Sequence, residues 1–175
     1  LSARGLHQDA ADAYLELARG ADRPVVRQRF LILMARERLL AGFPEVAGTI
    51  LSRLGDSIDA GNLLLWTTVR AGVDIAMGDP RQALAVLERA PPATDPDLAL
   101  EIMRLKGNAL FRTGRPVAAT NVLIERETWL EERDAILAHQ SELWASYQAW
   151  GGALPPAGAD EDADPILAGW LELGR

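Results

Sequence analysis

The chain has no cysteine and only two histidines, His7 and His139. Without a thiol there is no disulfide scaffold, no thiol nucleophile and no cysteine-based zinc site. Two histidines are too few for a metal site built on imidazoles. His139 and Glu142 share a helix side at i, i+3 spacing, but a closed site needs three or four ligands. His139 therefore reads as a partly exposed helix histidine, and no cofactor or metal is expected. No run of 18 apolar residues occurs, so no segment is long and apolar enough to span a bilayer as a helix. Lysine is nearly missing as well: Lys106 is the only one. Arginine carries the rest of the positive charge, and it suits planar contacts with carboxylates and phosphates. Genome base composition is the plainer source of a bias toward Arg, Ala and Leu.

Net charge is −7 and the sequence pI is about 4.9. Nucleic acid demands a basic face, so it is not an expected partner. Of the 175 residues, 49% are apolar, enough to bury a sizeable core. The chain opens on Leu1 rather than Met, which predicts a longer parent whose leader or lipid anchor would lie outside this chain.

What is present is a repeat. Gly42-Phe43-Pro44-Glu45-Val46-Ala47, Gly78-Asp79-Pro80-Arg81-Gln82-Ala83 and Gly114-Arg115-Pro116-Val117-Ala118-Ala119 all read G-x-P-x-x-A, with successive glycines 36 residues apart. A fixed period of this length marks a helical repeat array. Apolar spacing predicts helices over Leu6–Ala18, Val25–Leu40, Pro44–Leu54, Asn62–Met77, Pro80–Ala90, Pro96–Arg112, Pro116–Trp129, Asp134–Trp150 and Pro165–Leu173. The three glycines are placed to end one helix in the left-handed conformation. The prolines fit the first turn of the next helix, where a missing N–H costs nothing. Asp79 and Asp95 are predicted to cap the helices starting at Pro80 and Pro96.

Packing positions repeat too. Seven residues before each glycine stands Ala35, Ala71 or Gly107, and nine after it Leu51, Leu87 or Leu123. A small residue lets two helices approach and the large one fills the gap. Leu1–Ala18 looks like the second helix of an earlier, weaker copy. The pattern resembles tetratricopeptide repeats, with a period of 36 rather than about 34 and mostly aliphatic residues at the usual aromatic positions. The fold class expected is all-α, a tetratricopeptide-like solenoid of antiparallel helix pairs. It would occupy residues 1–150, followed by an acidic Pro/Gly/Ala connector at 151–164 and a terminal helix at 165–175 leading to a second domain.

No nucleophile elbow, phosphate-binding loop, HExxH or dinucleotide fingerprint occurs. The charge runs Glu125-Arg126-Glu127 and Glu131-Glu132-Arg133 read as solvated helix ends. Trp129, Trp144 and Trp150 read as packing at the end of the array. The protein is expected not to be an enzyme. In tetratricopeptide arrays the first helix of each pair lines the concave face. Carrying that register across places Arg29 and Arg36, then Thr68, then Arg104, Asn108 and Arg112 on one binding surface. Four arginines there would favour a carboxylate-bearing partner.

A narrower resemblance follows the third turn. Leu123-Ile124-Glu125-Arg126-Glu127-Thr128-Trp129-Leu130, Ile136-Leu137-Ala138-His139-Gln140 and Leu143-Trp144 resemble the N-terminal domain of bacterial penicillin-binding-protein activator lipoproteins, the LpoA/LppC family. That family's pattern is roughly L-[VI]-x-R-E-x-x-L, I-x-x-N-Q and [LI]-W, so His139 stands in place of an Asn. Gly169-Trp170-Leu171-Glu172-Leu173 resembles the segment leading to the family's second domain, which is similar to periplasmic solute-binding proteins. The resemblance implies a periplasmic parent anchored to the outer membrane by lipid. Its partner would be a bifunctional penicillin-binding protein, the peptidoglycan synthase, whose cross-linking it stimulates; peptidoglycan is a second candidate partner. This domain would be its non-catalytic helical arm. The alternative is a cytoplasmic tetratricopeptide adaptor or regulator domain, with Arg36 and Arg104 clamping a peptide carboxylate.

Overall fold

In a computed structural model of the chain, the structure describes residues 3–55, 57–127, 130 and 136–141. Among these the regular structure is helical: α1 (Ala3–Gly20), α2 (Pro24–Leu40), α3 (Pro44–Arg53), α4 (Ala60–Ala76), α5 (Pro80–Leu87), α6 (Pro96–Arg112) and α7 (Pro116–Glu127). Residues 136–141 are also helical. The chain divides into two compact units, Leu1–Leu105 and Lys106–Arg175. The connector and terminal helix expected at 151–175 lie outside the described residues, as do Trp129, Trp144 and Trp150.

The repeat begins in backbone chemistry. Gly42, Gly78 and Gly114 all have positive φ, at 86°, 86° and 75°. Each lets the chain fold back so that the next residue's N–H reaches a carbonyl five residues earlier. Phe43 donates to Arg38 at 2.9 Å, Asp79 to Asp74 at 2.8 Å and Arg115 to Leu110 at 2.9 Å. These are the bonds that satisfy the last carbonyls of a helix. Proline then opens α3, α5 and α7. Asp79 accepts from the N–H of Gln82 at 3.0 Å, and Asp95 from those of Asp97 and Leu98 at 3.0 and 3.4 Å, so both caps form as expected. Asp59 caps α4 by accepting from Gly61 at 2.9 Å, which starts that helix two residues before the periodicity suggested. Gln28 ties that start to α2, donating to Ser57 and accepting from the N–H of Asp59.

A Cβ added at Gly78 would meet nothing within 4 Å, so a substitution there tests the backbone alone. Gly78→Ala is expected to destabilise by about 1–2 kcal/mol from left-handed strain, read as a lower urea midpoint at unchanged slope.

In the first unit, Ile32 and Ala35 of α2, Ala47 and Leu51 of α3, and Leu65, Val69 and Val73 of α4 form one buried cluster, with Leu33, Leu39, Ile50, Leu54, Trp66 and Leu98 packed around it. These residues recur at i, i+3, i+4 spacing, so each helix commits one face to its neighbours. α1 joins through Ala11 and Ala18, both buried, and through Tyr14, whose ring lies 6.3 Å from that of Phe30. Polar contacts at the same seam link His7 to Glu37 at 2.6 Å and Arg38 to Asp12.

The second unit repeats the small-against-large logic at closer range. Gly107 is buried, and a Cβ there would lie 2.7–2.8 Å from Leu123 Cδ2 and Cγ. The two preceding copies carry Ala35 and Ala71 at this position, whereas in the third Leu123 leaves no room for a methyl.

Candidate functional site

The first helices of the three pairs are α2, α4 and α6. They line a cavity of about 530 Å³ within the first unit. From α2 come Arg29, Leu33 and Arg36, spaced i, i+4, i+7 and therefore on one face. From α4 come Gly61, Leu64, Leu65, Thr68 and Val69; from α6 come Asp97, Leu98 and Glu101; Pro91, Pro92, Thr94 and Asp95 close the side. The floor is apolar, with Leu65 and Val69 buried and Leu33, Leu64 and Leu98 half-buried, and the rim is charged.

Of the residues that the repeat register put on a binding surface, Arg29, Arg36 and Thr68 line this groove. The two arginines are exposed and make no side-chain hydrogen bond or ion pair among the described residues. Thr68 is buried, and its hydroxyl donates to the Leu64 carbonyl at 2.9 Å. Its role in the floor is shape, with its hydroxyl oxygen left able only to accept. Arg104 turns back along its own helix. Nε lies 2.9 Å from Glu101 Oε2, and Nη2 lies 2.8 Å from Oε1. That bidentate pair neutralises the charge that a clamp would need, so Arg104 is an indirect neighbour of the groove, through Glu101. Asn108 and Arg112 belong to the second unit. Asn108 is half-buried, with its Oδ1 accepting no hydrogen bond among the described residues, and Arg112 is exposed at the end of α6.

The register also missed half of the groove's chemistry. Asp97 and Glu101 face the same cavity as the arginines. Acidic residues in the first turns of a helix complement its dipole, which is a sequence signal for Asp97 that a search for arginines passes over.

A second cavity, of about 610 Å³, lies between α3 and the end of α4 and is lined by Glu45, Thr49, Arg53, Arg70, Val73 and Asp74 among others. Arg70 Nε donates to both carboxylate oxygens of Asp74, at 3.0 and 3.2 Å. Burial lifts the Asp74 pKa above its ordinary value of 3.8. The Arg70 hydrogen bond and charge oppose that shift, and nearby Asp79 adds to it. Asp74 also stands in the last turn of α4, where the helix dipole disfavours negative charge. This pair has the character of a tolerated burial rather than of a working acid.

His139 corrects its sequence reading. It is 1% exposed, not a surface histidine. Arg126 has only donors, so its Nη1, 2.6 Å away, donates to Nδ1. Nε2 then carries the proton and donates to the Leu123 carbonyl at 2.9 Å. The ring therefore fastens the end of α7, and both nitrogens are occupied. Glu142, its supposed partner in a metal site, lies outside the described residues. Among the described residues no group of three or more potential metal ligands occurs, and no helix is long and apolar enough to cross a membrane.

A scan against protein-family models finds no match, and a search of curated proteins finds no significant one. Among solved structures, the chain is similar to the crystal structure of the E. coli LpoA amino terminal domain. The TM-score is 0.69 at 22% identity, covering 98% of this chain and 76% of that one. The resemblance read from residues 123–144 thus holds at the level of fold, over nearly the whole chain. The all-α, tetratricopeptide-like fold class holds with it.

Proposed function

We propose that this chain is a non-catalytic protein-interaction domain of a penicillin-binding-protein activator. Its parent would be a lipoprotein of the outer membrane facing the periplasm. Its partner would be a bifunctional penicillin-binding protein, and the outcome a higher rate of peptidoglycan cross-linking. The observation that carries this reading is the fold similarity to the E. coli LpoA amino terminal domain over 98% of the chain. The sequence words around Glu125-Arg126-Glu127 and Leu143-Trp144 point the same way independently.

The physical mechanism is binding that favours one state of the partner. An activator shifts a conformational equilibrium only by its difference in affinity for the two states. A folded helical unit suits that task, because little of its binding free energy is lost to ordering its own helices. The groove on α2, α4 and α6 offers the contact surface: a preformed apolar floor within a charged rim.

The test is direct binding of the purified bifunctional penicillin-binding protein of the source organism to the immobilised chain, by biolayer interferometry. Saturable binding is expected, weakened about tenfold or more when Arg29→Glu and Arg36→Glu are combined, since reversing rim charges opposes a complementary partner. Binding unaffected by the pair would place the contact elsewhere on the chain. No binding at any attainable concentration would remove the domain from direct contact with the synthase.

A further inference from the structure

The groove divides by charge. Arg29 and Arg36 stand on α2 about 10 Å apart along the helix, at 1.5 Å per residue, with Leu33 between them. Asp97 and Glu101 stand on α6 one helical turn apart, flanking Leu98. Leu64, Leu65 and Val69 of α4 lie between the two helices in the chain's order of pairs and complete the floor. The charges have not collapsed onto one another. Among the described residues no ion pair joins Arg29 or Arg36 to Asp95, Asp97 or Glu101, and the Asp97 carboxylate makes no hydrogen bond. Asp95 is spent on capping α6, and Glu101 is held by Arg104. The groove thus keeps two free cations on one wall and one free carboxylate on the other, over an apolar base.

From this division we infer that the groove takes a polypeptide segment of a partner protein with a matching division: apolar side chains in the middle, Asp or Glu toward α2, and Lys or Arg toward α6. A purely acidic segment would gain from the arginines but would set its remaining charge against Asp97. A purely basic one would meet the reverse. Opposed charges of this kind fix register and reject wrong partners more than they raise affinity. The reading rests on the groove being the partner-binding surface. It replaces a simple carboxylate receptor with a site selective for mixed charge.

The experiment is a selection that does not involve the synthase. A random peptide library displayed on phage is panned against the intact chain at about 0.15 M salt, where loose surface attraction is largely screened. Enriched peptides are expected to combine acidic and basic residues around apolar ones. A synthetic copy of the best of them should lose affinity about tenfold or more with Arg29→Glu plus Arg36→Glu, and should lose affinity again with Asp97→Lys. Reversing all three charges together should restore binding for the same peptide with its own charges exchanged. The substituted residues are exposed, and circular dichroism is used to check that each variant folds. Should the triple variant fail to fold, Asp97→Asn alone must still weaken the basic preference. Enrichment of purely acidic peptides would overturn the divided-groove reading and leave a carboxylate receptor. No enrichment, or peptides indifferent to all three substitutions, would overturn it outright. Either result is separable from the binding measurement above, which can succeed through another surface.

Discussion

Leu51→Ala is expected to lower the unfolding free energy by about 3 kcal/mol. That is a large part of the 5–15 kcal/mol or so that holds a domain of this kind together. Leu51 is 1% exposed and belongs to one buried cluster with Ile32 and Ala35 of α2 and Val69 and Val73 of α4. Removing its isobutyl group takes away the hydrophobic transfer term and leaves a void. The control lies on the same helix. Val46 is 46% exposed, and Val46→Ala should change stability by no more than about 0.5 kcal/mol. Both are read from urea midpoints at comparable slopes. Equal effects at the two positions would mean that α3 does not bury the face assigned to it.

The second large effect concerns Arg70 and Asp74. Arg70→Ala is expected to cost about 2 kcal/mol at neutral pH, the penalty for a buried carboxylate left without its donor. The Asp74 side chain is 7% exposed, so water cannot replace the guanidinium. The pH dependence has a definite sign. The folded pKa of Asp74 is raised, so between its ordinary and raised values the native state binds more protons than the unfolded one. Stability from this group therefore falls as pH rises through that window and is fully lost above it. Asp74→Asn removes the charge and the penalty together. Its stability relative to the native sequence should improve as pH rises from acid to neutral. The deficit of Arg70→Ala should shrink in acid, where Asp74 protonates. A deficit that is constant with pH would show that Arg70 acts by packing alone.

How far the sequence was legible depended on the range of the physics. The turns were legible because their cause is local. A glycine with positive φ and a proline one step inside the next helix act within a few residues, and all three copies have both; the aspartate caps at Asp79 and Asp95 are equally local. The core was legible because periodicity assigns faces, and Ala47, Ala83 and Ala119 are all fully buried. The groove was only half legible. Register places a Cβ on a face but not the end of a long side chain, so it could not foresee that Arg104 would fold back onto Glu101. It counted arginines and overlooked the carboxylates of α6 facing the same space. His139 failed for a related reason. The buried face at His139 is set by a contact distant in sequence, the Leu123 carbonyl, and no local spacing announces it.

The measurement that bears most directly on function is a cross-linking assay with the purified bifunctional synthase and lipid-linked peptidoglycan precursor. The fraction of cross-linked peptides would be followed with and without the full parent protein. The parent should raise that fraction, and a parent carrying Arg29→Glu and Arg36→Glu should raise it less. Cross-linking unchanged by the parent at saturating concentration would contradict the assignment as an activator, and would leave an array whose groove serves a different partner.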